Sequence, residues 1–238
     1  MEFNIDDIVY LEWGFLKVNA TLLYSWLIMG LLVGLGWLIS RNLTSGIDIG
    51  RRQALYESLV VFIVTQIEEA TQQKADRYFP FISTLFLFIA FSNVIGVIPG
   101  VHSPTASLTT TAALAFSVFV AVPVFGVSTR GFRDYFSQYM KPTPLMLPFN
   151  IIGELSRTLA LAIRLFGNIM SGSLIVAVLL SLSPLFFPVV MQAFGLVIGV
   201  IQAYVFSILA LVYIASATRT KPNQEFESET ESITSSTE

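Results

Sequence analysis

The sequence predicts an all-α polytopic membrane protein, with five transmembrane helices plus one interfacial amphipathic helix. Three observations predict it. Charged residues make up 12% of the 238-residue chain, about half the share in an ordinary soluble domain. Hydrophobic residues make up 54%, and the mean hydropathy is +0.73. The charges are also unevenly placed: residues 20–40, 78–129 and 165–218 carry none. So few charges cannot coat a soluble surface of this size. Each uncharged run is long enough to cross a bilayer at least once.

The same arithmetic excludes several chemistries. The formal net charge is -3 and no basic block exists, which argues against a nucleic-acid partner. There is no cysteine, hence no disulfide, thiol nucleophile or thiolate metal ligand. The single histidine, His102, supplies neither an imidazole cluster for zinc nor the base of a Ser-His-Asp triad. No resident cofactor or metal is expected.

The elements follow in order. Residues 1–19 form an N-terminal segment that contains Glu2, Asp6, Asp7 and Glu12 and lacks the basic start of a signal peptide. Residues 20–40 are the first span; as a helix they rise about 31 Å, enough for the hydrocarbon core. Residues 53–73 carry Glu57, Glu68 and Glu69 beside an apolar run from Leu59 to Val64. That stretch is too acidic to span and reads as the helix lying at the interface. The 52 residues 78–129 are interrupted by IPGVHSPT, from Ile98 to Thr105, so they make two spans, about 79–99 and 107–128. A further break at Ser183, Pro184 and Pro188 separates the last two helices, about 147–182 and 187–217. The membrane domain is thus 20–218. Residues 219–238 are mostly Glu, Ser and Thr and cannot bury enough surface to fold, so a disordered acidic tail is expected.

Lys and Arg placement gives the orientation. With the N-terminus outside, the cytoplasmic side receives Arg41, Arg51, Arg52, Lys74, Arg77, Arg130, Arg133, Lys141, Arg219 and Lys221. The outside receives only Lys17. Residues 1–19 are then extracytoplasmic and the acidic tail is cytoplasmic.

The remaining basic residues, Arg157 and Arg164, enter the membrane pattern of the fourth span together with Glu154. A guanidinium at mid-membrane costs about 2.5–3.5 kcal/mol on insertion scales, and arginine cannot lose its proton to escape. Glu154 and Arg157 are three apart and can pair on one face. Arg157 and Arg164 are two turns apart, and Asn168 and Ser171 continue the stripe. Arg164 is the harder case, because the 54 residues that follow carry no charge. For Arg157 a snorkelling or Glu-paired role stands beside a functional one. For Asn168 an interhelical hydrogen bond stands beside a role in ion passage.

The last span carries a matching stripe: Gln192, Gly195, Gly199, Gln202, Phe206 and Tyr213 step by three, four or seven. Gly195 and Gly199 form a small-xxx-small pair, which predicts close helix packing. Gln202 can face Arg164 across the helix pair. Two polar stripes on adjacent long helices point to an aqueous or ion-handling seam.

These residues resemble subunit a of rotary F-type ATP synthases. The resemblance rests on RLFGN from Arg164 to Asn168, preceded by PTPLMLPFN from Pro142 to Asn150 and by Glu154. IQAYVF from Ile201 to Phe206 and FISTLFLFIAFSN from Phe81 to Asn93 fit the same family. It covers roughly residues 16–217. The resemblance implies that the last two helices are long, tilted and paired as a hairpin against a rotor c-ring. It implies b-type peripheral stalk subunits as further partners within the lipid bilayer. It implies two aqueous half-channels that carry H+ or Na+ to and from the ring, with Arg164 between them and Gln202 as its polar partner. Asn168, Glu154, Arg157, Ser171, Ser173 and Tyr213 are the other residues assigned to ion translocation; no ATP chemistry lies on this chain. A bacterial plasma membrane fits better than a thylakoid or other energy-transducing membrane.

The chain departs from the proton-type pattern of that family. Ser173 stands where many relatives have an acid, Gly195 where bacterial relatives have a histidine, and Ser107 where chloroplast-like relatives have a carboxylate. The outer half-channel is then poor in titratable groups, leaving water or hydroxyls to line it. Met170-Ser171-Gly172 and Arg157-Thr158 are similar to the N-type ATPase subset, often associated with sodium transport.

Two rival classes were weighed. A stand-alone secondary ion or solute transporter would show inverted repeats and broken-helix sites, and the two halves show no such symmetry. An intramembrane hydrolase would need Ser156, Ser171 or Ser173 as nucleophile, and no base lies at helical spacing from them.

Overall fold

The computed structural model describes residues 9–13, 16–41, 51–98, 103–139, 146–182 and 187–218. The tail from residue 219, His102 and the break at Pro184 lie outside the described residues. Ahead of the first helix, β1 (Val9–Trp13) and β2 (Leu16–Asn19) pair antiparallel, with Trp13 opposite Leu16 and Val9 opposite Asn19. This hairpin lies within the N-terminal segment, for which the sequence pattern predicts no element. The rest is helical: α1 (Ala20–Arg41), α2 (Arg51–Thr71), α3 (Phe79–Ile95), α4 (Leu108–Arg130), α5 (Phe132–Tyr139), α6 (Met146–Leu182) and α7 (Phe187–Thr218).

Among the described residues, four helices are long and apolar enough to cross a membrane: α1, α4, α6 and α7. The expected second span is apolar but shorter than drawn. It is α3, with 17 residues, which rises about 25 Å. Its helix ends at Ile95, not at residue 99, because Gly96 and Val97 turn the chain ahead of Pro99. The eight-residue α5 was not anticipated. It follows Gly131, whose φ of 84° turns the chain sharply after α4.

α7 is the interior helix. Ala203, Phe206, Ala210, Leu211 and Ile214 are fully buried, one face at helical spacing, against α2, α3, α4 and α6. The share of buried residues separates the two long helices: 39% of the apolar window of α7 and 6% of that of α6. α6 therefore lies at the margin of this chain, touching it through Leu161, Ala162 and Leu165. α1 lies on the opposite margin; Ile28 is buried while Trp26, Val33 and Trp37 face outward. Near its end Arg41 lies over the Trp37 ring at 5.2 Å, the pairing expected where a helix leaves the hydrocarbon.

One end of the bundle is tied by polar side chains. Arg77 donates to the Thr129 hydroxyl at 2.9 Å and to the Ser128 hydroxyl at 3.0 Å, at the end of α4. A cation there also meets the negative end of the helix dipole. Tyr78 and Thr218 share a buried hydrogen bond of 2.8 Å, joining the start of α3 to the end of α7. Inside α4, Pro123 has no N–H to donate, which loosens the helix beside its contact with α5.

That contact is unusually close. A Cβ placed on Gly126 would come within 2.4 Å of the Tyr135 ring. Gly126→Ala should therefore overpack the α4–α5 contact by about 1–3 kcal/mol. The expected outcome is a lower unfolding temperature of the chain in detergent, restored in part when Tyr135→Ala is added. An unchanged unfolding temperature in Gly126→Ala would contradict this packing.

Candidate functional site

The polar side chains of α6 and α7 separate into three levels. At the first, a cleft of about 440 Å³ opens between α4, α5, α6 and α7. Asn150, Glu154, Arg157, Thr158, Tyr213 and Ser216 supply its polar lining. The contact of Arg157 is across the helix pair: its guanidinium lies 5.7 Å from the centre of the Tyr213 ring. The expected stabilisation from Glu154, three residues back, is replaced by this aromatic face. A ring on α7 can sit over a planar cation on α6, whereas spacing along α6 alone does not reveal it.

At the second level, Asn168 of α6 donates from Nδ2 to Oε1 of Gln202 on α7, at 3.5 Å. Gln202 is 7% exposed, and its Nε2 has no partner. The structure thus brings Gln202 to Asn168, one turn beyond Arg164, rather than into contact with Arg164 itself. Arg164 is exposed on the open side of α6, beside Ile163 and Gly167. Among the described residues it has no hydrogen-bond or ion-pair partner. Gly167 has nothing within 4 Å of where a Cβ would be, so the helix surface one turn from Arg164 is open.

Ser171 and Ser173 are exposed on the same helix, but each hydroxyl donates to its own backbone, to Asn168 O at 3.0 Å and Met170 O at 2.9 Å. They can offer acceptor lone pairs but no free proton.

The third level was missed in the sequence. Asn93 of α3 donates from Nδ2 to the Gly199 carbonyl at 2.8 Å and accepts from the Thr105 hydroxyl at 2.9 Å. Ser103 lies 2.6 Å from the Thr105 hydroxyl. Ser92 is fully buried, and its hydroxyl has no partner. The available signal was a lone amide, Asn93, closing an uncharged aromatic span. Of the two expected packing glycines, only Gly199 packs within the chain, against Asn93. Gly195 is exposed with nothing within 4 Å, because α3 ends two residues after Asn93 and does not reach it.

Residues 22–215 match the ATP synthase A chain family. The chain belongs to that family. It is 54% identical over 219 residues to "ATP synthase subunit a 2" of Acaryochloris marina, covering 92% of this chain and 94% of the relative. It is 55% identical over 221 residues to "ATP synthase subunit a 1" of Chlorobaculum parvum, covering 93% and 98%. It is 52% identical over 226 residues to "ATP synthase subunit a" of Albidiferax ferrireducens, covering 94% and 98%. The matches run through all three levels, from Asn93 to Tyr213. A stand-alone transporter is not favoured by this membership.

In the assembled ATP synthase, the Arg157 contact needs the ring of Tyr213 and not its hydroxyl. Tyr213→Phe should keep ATP-driven ion transport within about twofold of wild type. Tyr213→Leu should lower it several-fold, since about 0.5–2 kcal/mol of cation–π attraction is lost. Equal transport by both variants in a vesicle assay would refute the contact's importance.

Proposed function

We propose that this chain, as the stator subunit a of an F-type ATP synthase, passes ions to a rotor c-ring along the open face of α6, with Arg164 as the fixed charge. One observation carries the reading. Among the described residues Arg164 is exposed and has no partner, on a long apolar helix where an unpaired guanidinium is costly. A partner carboxylate on the ring would meet it there. A fixed cation beside a carboxylate favours its ionised form. The carboxylate then gives up its ion on approach and regains one on leaving, and the guanidinium blocks direct passage between the two sides.

The two half-channels fall on either side of that point. The cleft with Glu154, Arg157 and Tyr213 serves one side of the membrane. The buried Gln202 amide and the buried Ser92 hydroxyl, each with an atom that has no partner, serve the other. Lys74 and Arg77 lie just before α3, Arg130 and Arg133 at and just after the end of α4, and Arg77 is bonded to that end, which supports a cytoplasmic opening on this side. The N-terminus is then outside and the acidic tail inside, in a bacterial plasma membrane. Asn168, Ser171 and Ser173 offer acceptor oxygens along the face of α6. The second side contains no carboxylate among its named groups, so H+ would move there through water and Na+ through neutral oxygen ligands. The b-type stalk subunits hold the chain against rotation.

Arg164→Ala in the whole complex should lower ATP-driven ion transport at least 100-fold while ATP hydrolysis continues uncoupled. Arg164→Lys should also fail to restore normal transport, because an ammonium lacks the planar fork. Near-normal transport by Arg164→Ala in vesicles would end this reading.

A further inference from the structure

We propose that Asn93 is a positioning residue: it latches α7 to α3 through the Gly199 carbonyl, and Ser103 and Thr105 fix the direction of its amide. The donors can be ordered from chemistry alone. A peptide carbonyl only accepts, so Nδ2 of Asn93 must face Gly199, at 2.8 Å. That leaves Oδ1 to accept, and Thr105 gives it its only hydroxyl proton, at 2.9 Å. Ser103 must then donate to Thr105, at 2.6 Å. The chain of donors therefore runs one way, from Ser103 through Thr105 and Asn93 to α7. All three side chains are at most 9% exposed.

The direction decides what the chain can do. It ends on a peptide carbonyl, which does not take up and pass on a proton at neutral pH. The chain is therefore a latch and not a proton wire. It also sets the approach of the helices. A Cβ on Gly199 would lie 2.8 Å from the Asn93 Cβ, so α7 fits here only as glycine. Gln202 lies three residues further along α7, less than one turn from the latched carbonyl. Releasing Gly199 would let α7 slide or rotate and carry Gln202 away from Asn168.

The test rests on the proposed transport role and uses the whole complex in vesicles. Asn93→Leu keeps the branched heavy-atom skeleton, with a bulkier end, and removes the donor. It should leave ATP hydrolysis near wild type and lower ATP-driven ion transport about tenfold or more. The half-saturating ion concentration should not move. Thr105→Val removes only the group that orients the amide and touches nothing on α7 through it. It should lower transport at least threefold, and Thr105→Ser should restore it to within twofold. Gly199→Ala should behave as Asn93→Leu does. If Asn93→Leu fails to assemble, Thr105→Val and Thr105→Ser decide. Transport within twofold of wild type in either Asn93→Leu or Thr105→Val would overturn the latch. A several-fold shift in half-saturating ion concentration would overturn it too, by making Asn93 an ion ligand. Arg164→Ala in the same series separates the two failures: if it pumps, the transport role is wrong; if it is inactive while Asn93→Leu pumps, only the latch is.

Discussion

A polar group inside the hydrocarbon must find its partner on another helix, and the architecture depends on that constraint. Apolar contact between helices gains little over contact with lipid tails, which are equally apolar. Leu211 and Ile214 pack well in their places, but such packing alone does not choose one register of α7 over another. The polar contacts do. Read along α7, Gly199 is held by Asn93 of α3, Gln202 by Asn168 of α6, Tyr204 by Gln66 of α2, Tyr213 by Arg157 of α6, and Thr218 by Tyr78 of α3. Each contact is chemically distinct, so a slip by one turn would break all of them together. Uniqueness here comes from a set of modest hydrogen bonds, each worth on the order of 1 kcal/mol, whose loss would leave buried groups unpaired.

The same constraint explains the asymmetry between the last two helices. α7 pairs most of its polar groups inside the chain, Gln202 Nε2 excepted, and is the more buried of the two. α6 is exposed over most of its length and, among the described residues, leaves Arg164 without a partner. A helix with an outward guanidinium is incomplete as an isolated membrane object. In the proposed function that incompleteness has a purpose, since the missing partner would come from another subunit. The polar levels on either side of Arg164 then differ in kind. One is a cleft with charges and an aromatic cation site; the other is neutral, built from amides and hydroxyls.

Much of the fold was legible because charge is a strong local signal. The uncharged runs mark α1, α4, α6 and α7, and the Glu residues of α2 keep it from reading as a span. The end of α3 was drawn too far because its apolar composition continues past Ile95, while the turn at Gly96 depends on backbone geometry. α5 places Phe132, Tyr135, Phe136 and Tyr139 at helical spacing, but it covers only two turns, and the β1–β2 hairpin is equally short. At the site, Arg164, Asn168 and Gln202 could be picked out because a polar residue in a long apolar helix is conspicuous. Their pairings were less legible. Spacing along α6 suggested Glu154 for Arg157, but the contact comes from Tyr213, 56 residues away and on another helix. Asn93 was passed over for the same reason: its partner lies 106 residues away, and one amide leaves almost no periodic trace.

In the proposed function two separate polar regions reach opposite sides of the membrane and do not meet. The chain has no cysteine, so single cysteines can report on it without a cleared background. The direct measurement is labelling of Ser216→Cys and Ser103→Cys by a small charged thiol reagent, added to one side of sealed vesicles holding the whole complex. Ser216→Cys should react only from the side that bears the ATP-hydrolysing head, and Ser103→Cys only from the other. Either cysteine reacting equally from both sides would contradict the account.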